Sequence, residues 1–341
     1  MLEPILSICI PTYNRANWLR SSLWNWLPQV NQTNGLVELI VCDNSSLDNT
    51  KQVIEEAYAW GDFQYHCNDQ NIGAIRNIYK LVKDLAKGKF VWVVGDDDLP
   101  NVNALQSVIN ILKDYSEVNY VYVNYSYWNP SKEQQNQQLL ESKNLDFSQI
   151  LSLDLETRFV NRLAEIIPLD FNCFTPIYCS IMRKQDAYNA FQLGIKGNAF
   201  SSLETVVPHA VYIVNNLLDK SCWYIGTPCI LASCDVSWSE FMVTYTVDFV
   251  PSLYKMIEKK IGSKSYTDLH RRRLLDYLSY LVNEFLLSDI QIKKKLHIKF
   301  KHYANYPIFR VIWNDIKYFK FKLGLGNKIR HLNKLFLSKR I

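Results

Sequence analysis

At 341 residues the chain has room for one large domain and an appendage, or for two modest domains. Hydrophobic residues make up 48% and charged residues 21%, enough for a packed core and too apolar for a wholly disordered polypeptide. The net charge of +5 hides an imbalance: residues 291–341 hold 11 Lys and 3 Arg against Asp315, a local +13 that leaves −8 for the first 290 residues.

No apolar run reaches 18 residues, so no transmembrane helix is predicted. Leu6 to Ile10 enters a core-like strand almost at once, with no basic stretch and cleavage site before it, so no secretion signal is expected. The eight cysteines form no CxxC pair or zinc-like spacing. Cys9, Cys42 and Cys67 each lie in or at the end of an apolar run, where a reduced thiol acts as a small hydrophobe.

In chain order the strand candidates are Leu6–Ile10, Glu38–Cys42, Phe63–Cys67, Phe90–Val94 and Tyr120–Tyr127, several apolar on both faces as buried parallel strands are. Helical stretches lie between them. Asp48 or Ser46 caps one running toward Trp60. Ile75, Ile78, Tyr79, Val82 and Leu85 stripe a second, stopped by Gly88, and Val102, Leu105, Val108, Ile109 and Leu112 a third. This rhythm predicts an open, doubly wound α/β sheet with right-handed crossovers.

Ligands bind such sheets beyond the carboxyl ends of the strands. That rule selects Pro11–Arg15, Asp43–Asp48, Asn68–Arg76 and Gly95–Pro100, all polar and all carrying Asp, Asn, Arg or Gly. Residues 129 to 149 read as a polar excursion, and Phe159–Phe249 returns to mixed apolar structure, including Pro176–Met182 and Val206–Leu218. From about Thr267 the pattern is helical, with Leu274, Leu278, Leu281 and Phe285 on one face.

Asp96, Asp97 and Asp98 are costly to place side by side, because like charges raise each other's pKa and each loses solvation at a sheet edge. A divalent cation removes the conflict, and hard oxygen ligands suit Mg²⁺ or Mn²⁺. It would also neutralise a diphosphate as it departs. The alternative is a solvated acidic turn that caps the next helix.

The acid run has company. Pro11-Thr12-Tyr13-Asn14-Arg15 follows the first strand, Asp43-Asn44-Ser45-Ser46 the second, and Asn71-Ile72-Gly73 with Arg76 the third. Order and spacing over residues 5 to 115 resemble the family 2 glycosyltransferases of the GT-A fold. That resemblance implies a Rossmann-like, mostly parallel sheet flanked by helices. It also implies that Pro11, Thr12, Tyr13, Asn14, Arg15 and Asp43 contact the base of a nucleotide sugar, with Asn44, Asn71 and Gly73 in the same nucleotide-sugar site. Arg76 would lie near the diphosphate. In the acid run a strict D-x-D register pairs Asp96 with Asp98, and the register of other members pairs Asp97 with Asp98. Asp98 is the metal ligand in both, with Asp96 or Asp97 toward ribose or metal.

The second half resembles more faintly the O-antigen abequosyltransferase-like branch. Tyr178-Cys179-Ser180-Ile181-Met182-Arg183-Lys184 and Val207-Pro208-His209 stand where that branch has a Ser-Ser strand and a Tyr-Pro-His stretch, with Cys179 in place of one serine and Val207 in place of the tyrosine. Many inverting members take an acid from this region as general base toward the acceptor hydroxyl. Glu204 is the acid best placed by order, and His209 is a second candidate as base or metal ligand. Residues 1–245 then form the glycosyltransferase domain, with 1–127 the nucleotide-sugar half and 150–245 the acceptor half. Residues 246–341 form a helical, basic appendage.

In residues 291–341, lysines interleave with Phe300, Tyr303, Phe309, Trp313, Tyr318, Phe319, Phe321 and Phe336, a pattern suited to an anionic membrane surface. The expectation is a cytoplasmic enzyme, peripheral on the inner face of the membrane, acting on a polyprenyl-diphosphate-linked glycan. No nucleic-acid-binding motif accompanies the basic patch. A nucleotidyltransferase would call for a glycine-rich phosphate loop, which Pro11–Arg15 is not. A non-catalytic nucleotide- or sugar-binding scaffold of the same fold is the other alternative.

Overall fold

A computed structural model of the protein describes residues 3–128, 139–150, 154–170, 172–233, 241 and 245–274. The strands in chain order are β1 (Leu6–Thr12), β2 (Val37–Asp43), β3 (Gln64–Cys67), β4 (Phe90–Val93), β5 (Leu99–Pro100), β6 (Tyr120–Trp128), β7 (Arg158–Val160), β8 (Ser180–Arg183) and β9 (Cys222–Ser233). The helices are α1 (Ala16–Asn31), α2 (Thr50–Ala57), α3 (Ala74–Lys80), α4 (Ala104–Asp114), α5 (Lys184–Gly194), α6 (Leu203–Val206), α7 (Pro208–Asn216) and α8 (Val250–Ile261).

The nine strands among the described residues join one sheet in the order β3-β2-β1-β4-β8-β6-β9-β5, with β7 also on β9. β3, β2, β1 and β4 run parallel, as the βαβ rhythm predicts. Leu6, Ile8, Cys9 and Ile10 of β1 are buried on both faces, which is why that run shows no polar alternation. β3 is the edge strand, so Cys67 at its end is exposed rather than packed inside. The other six cysteines among the described residues are buried free thiols, and Cys234 lies outside those residues.

β8 enters antiparallel between β4 and β6, while β6 and β9 run parallel to each other. The carboxyl ends of β4, β6 and β9 therefore share an edge with the amino end of β8. Pro176–Met182 becomes a 3₁₀ turn (Ile177–Cys179) leading into β8, and Val206–Leu218 becomes α7.

α1 buries Leu19, Leu23, Trp26, Leu27 and Val30, an apolar stripe at helical spacing. Asp48 serves two helix starts: one carboxylate oxygen accepts Ala16 N–H of α1 at 2.9 Å, the other Thr50 N–H of α2 at 3.1 Å. α3 runs on into a π-helical turn, Leu81–Leu85. Val102, expected on the α4 stripe, is exposed ahead of that helix, because Leu99 and Pro100 are drawn off as β5.

The described residues divide into two units, one within residues 1–237 with 256–262 and the other within residues 238–255 with 263–274. In the second, residues 265–274 are helical, and the rings of Tyr254 and His270 stand 5.9 Å apart. Leu278, Leu281, Phe285 and the basic tail lie outside the described residues. No helix among the described residues is long and apolar enough to cross a membrane.

Candidate active site

The four polar segments selected from sequence lie at the carboxyl ends of β1, β2, β3 and β4. Pro11 and Thr12 close β1 itself, and the loop turns at Asn14, a left-handed residue with φ of 54°. Asparagine tolerates that conformation through its short polar side chain. Here the side chain accepts Leu47 N–H at 2.7 Å, while Asn14 N–H donates to Ser46 Oγ at 2.8 Å. The β1 and β2 loops are thereby tied together. Tyr13 is exposed beside them.

Asp43, the last residue of β2, is buried. One oxygen accepts Ser46 N–H at 2.9 Å and the other the Tyr65 hydroxyl at 3.0 Å. Asn44 sits at the centre of a polar network. Its amide donates to Asn71 Oδ1 at 2.7 Å, and its carbonyl oxygen accepts Asn68 Nδ2 at 3.1 Å and Ile72 N–H at 3.0 Å. Asn71 Oδ1 also accepts Gly73 N–H at 2.9 Å. Gly73 itself, at φ of 86°, turns the chain into α3, a conformation that glycine supplies without strain. Arg76 on that helix is exposed and donates to the Ile195 carbonyl at 3.2 Å.

Gly95 to Asp98 form a tight turn. Asp98 N–H donates to the Gly95 carbonyl at 3.3 Å, and Asp98 Oδ2 accepts Gly95 N–H at 2.6 Å. A side chain at Gly95 would collide with this arrangement, since a Cβ there would lie 2.8 Å from both Asp97 Oδ1 and Asp98 Oδ2. Asp96 accepts the Thr12 hydroxyl at 2.7 Å. Arg15 bridges the remaining acids: its NH2 donates to Asp97 at 2.5 Å, and its Nε lies 3.0 Å from Asp96 Oδ1, poorly aligned for a hydrogen bond but within ion-pair range. Resemblance had assigned Arg15 to the base; in this structure its guanidinium lies on the acid turn.

Asp96 and Asp98 are each only 5% exposed. Burial pushes the Asp96 carboxyl up to about 7 against the opposing pull of Arg15, and burial followed by the Asp97 charge pushes Asp98 well up. Three adjacent carboxylates, an all-oxygen donor set, fit a hard divalent cation. Among the described residues no three His, Cys, Asp or Glu side chains are already arranged around a metal position, because the acids are turned onto Thr12, Arg15 and Gly95.

The two candidate bases differ sharply. Glu204 is exposed in the first turn of α6, and its backbone carbonyl packs at Gly194 together with the Ile75 side chain of α3. It therefore stands near the start of α3. His209 is buried, with Nε2 3.0 Å from the Thr175 carbonyl and its ring tilted against Phe191. Burial pushes its pKa down to about 4, so it is neutral at ordinary pH.

Sequence reasoning missed a tyrosine cluster beside the acids. Tyr178, just before β8, has its backbone carbonyl held by Trp92 Nε1 at 2.8 Å and its ring 5.0 Å from that of Tyr125. Its hydroxyl is pushed up first by burial, then by the neighbouring Tyr127, Tyr125 and Asp98. Asn172 Nδ2 donates to both Tyr125 and Tyr127 hydroxyls at 2.8 Å. The buried Asp170 carboxylate accepts Asn172 and Phe174 N–H and so fixes a loop in which Cys173 and Phe174 are both left-handed. No local pattern signals this: it depends on β8 lying between β4 and β6.

Comparison with known proteins agrees with this architecture. The model of glycosyl transferase family 2 matches residues 7–188. Abequosyltransferase RfbV of Salmonella typhimurium is 35% identical over 96 residues, which are 28% of each chain. The minor teichoic acid biosynthesis protein GgaA of Bacillus subtilis is 32% identical over 118 residues, 34% of this chain and 26% of that one. The chain thus aligns with less than a third of the length of either relative. A crystal structure of S. aureus TarS superposes with a TM-score of 0.50 at 17% identity, covering 85% of this chain and 47% of that one, a likeness of fold alone. With more than half of its length matched by the family model, and with a GT-A sheet, the chain belongs to glycosyl transferase family 2.

Proposed function

We propose that the protein transfers a sugar from a nucleotide-sugar donor to a glycan acceptor in the assembly of a bacterial surface polysaccharide such as O-antigen or capsule. The observation that carries this reading is the buried acid turn 95–98, locked to Thr12 and Arg15 and sharing one sheet edge with the Asp43–Asn44 network. Polar groups held this firmly on strand ends form a preorganised site rather than a solvated turn.

In this proposal the β1 loop and Asp43 hold the base, while Asn71, Gly73 and Arg76 face the diphosphate. Arg76 is exposed at the start of α3 and free to trade the Ile195 carbonyl for a phosphate oxygen. Asp98, with Asp96 or Asp97, would hold Mn²⁺ or Mg²⁺, which when bound neutralises charge on the departing diphosphate. The transferred sugar would rest against Tyr127 of β6 and Tyr178, both half-buried, with the Tyr178 ring against that of Tyr125. Glu204 is the better-placed base for the acceptor hydroxyl: it is exposed, whereas His209 is enclosed and already engaged by Thr175.

Similarity to an abequosyltransferase and to a teichoic acid biosynthesis protein supports a surface-glycan acceptor. A polyprenyl-diphosphate carrier would suit the basic, aromatic tail, which would dock on the inner face of an anionic membrane. Two assays test these roles. Incubated with UDP-, GDP-, CDP- and dTDP-sugars and a bacterial lipid extract, the protein should release one nucleoside diphosphate, and Asp98→Asn should not; release from none contradicts transfer. The full chain should pellet with phosphatidylglycerol vesicles at low salt, and equal pelleting without residues 291–341 removes the membrane role.

A further inference from the structure

We infer that Arg15 is a placeholder cation: it occupies the acid turn in the free protein and moves to the donor's diphosphate when a divalent cation enters, so that metal and nucleotide bind as a pair. The inference rests on the donor-site reading above.

Three observations carry it. The guanidinium contacts Asp97 at 2.5 Å and Asp96 at 3.0 Å, so two of the three acids are already engaged by a positive group. Arginine stays charged at every relevant pH, so a divalent cation cannot settle on those oxygens beside it without strong like-charge repulsion. The guanidinium has to leave.

The second observation is where mobility resides. The backbone beside Arg15 is pinned, with Asn14 bonded to Ser46 and Leu47 and the next residue, Ala16, to Asp48. Relocation is therefore a side-chain swing from a fixed point at the start of α1. A diphosphate offers the planar guanidinium a bidentate oxygen partner at least as good as the carboxylates it gives up.

The third is that two of the three acids have anchors of their own. Asp96 keeps the Thr12 hydroxyl and Asp98 keeps Gly95 N–H, neither of which involves the arginine. The turn thus keeps two anchored carboxylates, and Asp97 is released to join them at the cation when the guanidinium swings away. Cation alone meets the guanidinium, and nucleotide alone lacks the charge that frees it. Arg15 is a positioning residue in this scheme, and its signature is synergy between the two ligands.

The experiment is a Mn²⁺ titration followed by the paramagnetic resonance of the free ion, corrected for Mn²⁺ held by nucleotide alone. It uses the full chain, without nucleotide and with UDP, GDP, CDP or dTDP. In the wild type one nucleotide should tighten Mn²⁺ binding at least about tenfold. Arg15→Gln should bind Mn²⁺ alone at least about tenfold tighter than wild type and lose most of that synergy. Unchanged or weaker Mn²⁺ binding by nucleotide-free Arg15→Gln overturns the inference while leaving the donor site standing. Wild type that takes up no Mn²⁺ with any of the four overturns both. If circular dichroism finds Arg15→Gln unfolded, Arg15→Lys carries the test, because its ammonium cannot span two carboxylates. Nucleotide-free Mn²⁺ affinity equal to wild type then overturns the inference.

Discussion

Replacing Gly95 by alanine would drive a methyl group into the acid turn. The new Cβ would lie 2.8 Å from Asp97 Oδ1 and from Asp98 Oδ2, and 3.3 Å from Asp98 Cγ, distances that real Cβ atoms avoid. The carboxylates have little room to yield. Asp97 is tied to Arg15, and Asp98 is buried with its Oδ2 on the N–H of residue 95 itself. Relief means breaking that 2.6 Å bond, a loss of about 1.5–3 kcal/mol for a hydrogen bond to a charged group. Strain elsewhere in the packed turn falls in the usual overpacking range of about 1–3 kcal/mol. Urea unfolding of Gly95→Ala should therefore show a stability loss of about 2 kcal/mol or more with an unchanged m-value. A variant as stable as wild type would refute the geometry of the turn, and with it the account of how Asp98 is held.

Other residues offer independent checks. Asn44→Ala leaves Asn68, Asn71 and Ile72 N–H without their shared partner and should cost about 2–3 kcal/mol in the same assay; a cost below about 0.5 kcal/mol, the size of an ordinary surface change, counts against the network. His209 gives a pH signature. Its folded pKa of about 4 lies below the ordinary 6.5, so the unfolded chain takes up a proton that the folded chain refuses between those values. Stability should thus fall by about 2 kcal/mol from pH 7 to pH 5 on this account, and His209→Gln should flatten that part of the dependence. A His209→Gln profile parallel to wild type would place the histidine in water. Glu204→Gln, at an exposed site, should leave the melting temperature unchanged yet slow sugar transfer about 100-fold or more, the scale of a lost general base; full activity would remove Glu204 from the chemistry.

Much of the first half of the fold is legible in sequence because its signals are local. Buried parallel strands such as β1 and β2 are short apolar runs, and the loops after them carry polar residues that have no core to enter. The partners of those residues are not local. Arg15 precedes Asp97 by 82 positions, and only the turn at Gly95 brings them together. β8 is harder still: four residues whose Met182 pairs with both Val91 and Tyr120, an antiparallel insertion that no short pattern announces. The tyrosine cluster and Asp170 follow from that insertion and were invisible for the same reason. His209 carries no local signal of its burial, which comes from contacts with Thr175 and Phe191, 34 and 18 positions before it.

The central claim is that the acid turn is a metal-dependent nucleotide site with Asp98 as its necessary ligand. A thermal-shift panel of UDP, CDP, GDP and dTDP, each with and without Mn²⁺, tests it on wild type and Asp98→Asn. Asparagine still accepts Gly95 N–H and sheds a buried charge, so the ligand-free variant should melt no lower than wild type. One nucleoside diphosphate should stabilise the wild type only with Mn²⁺, and that shift should vanish in Asp98→Asn. Stabilisation that needs no metal, or that survives the substitution, would contradict the account.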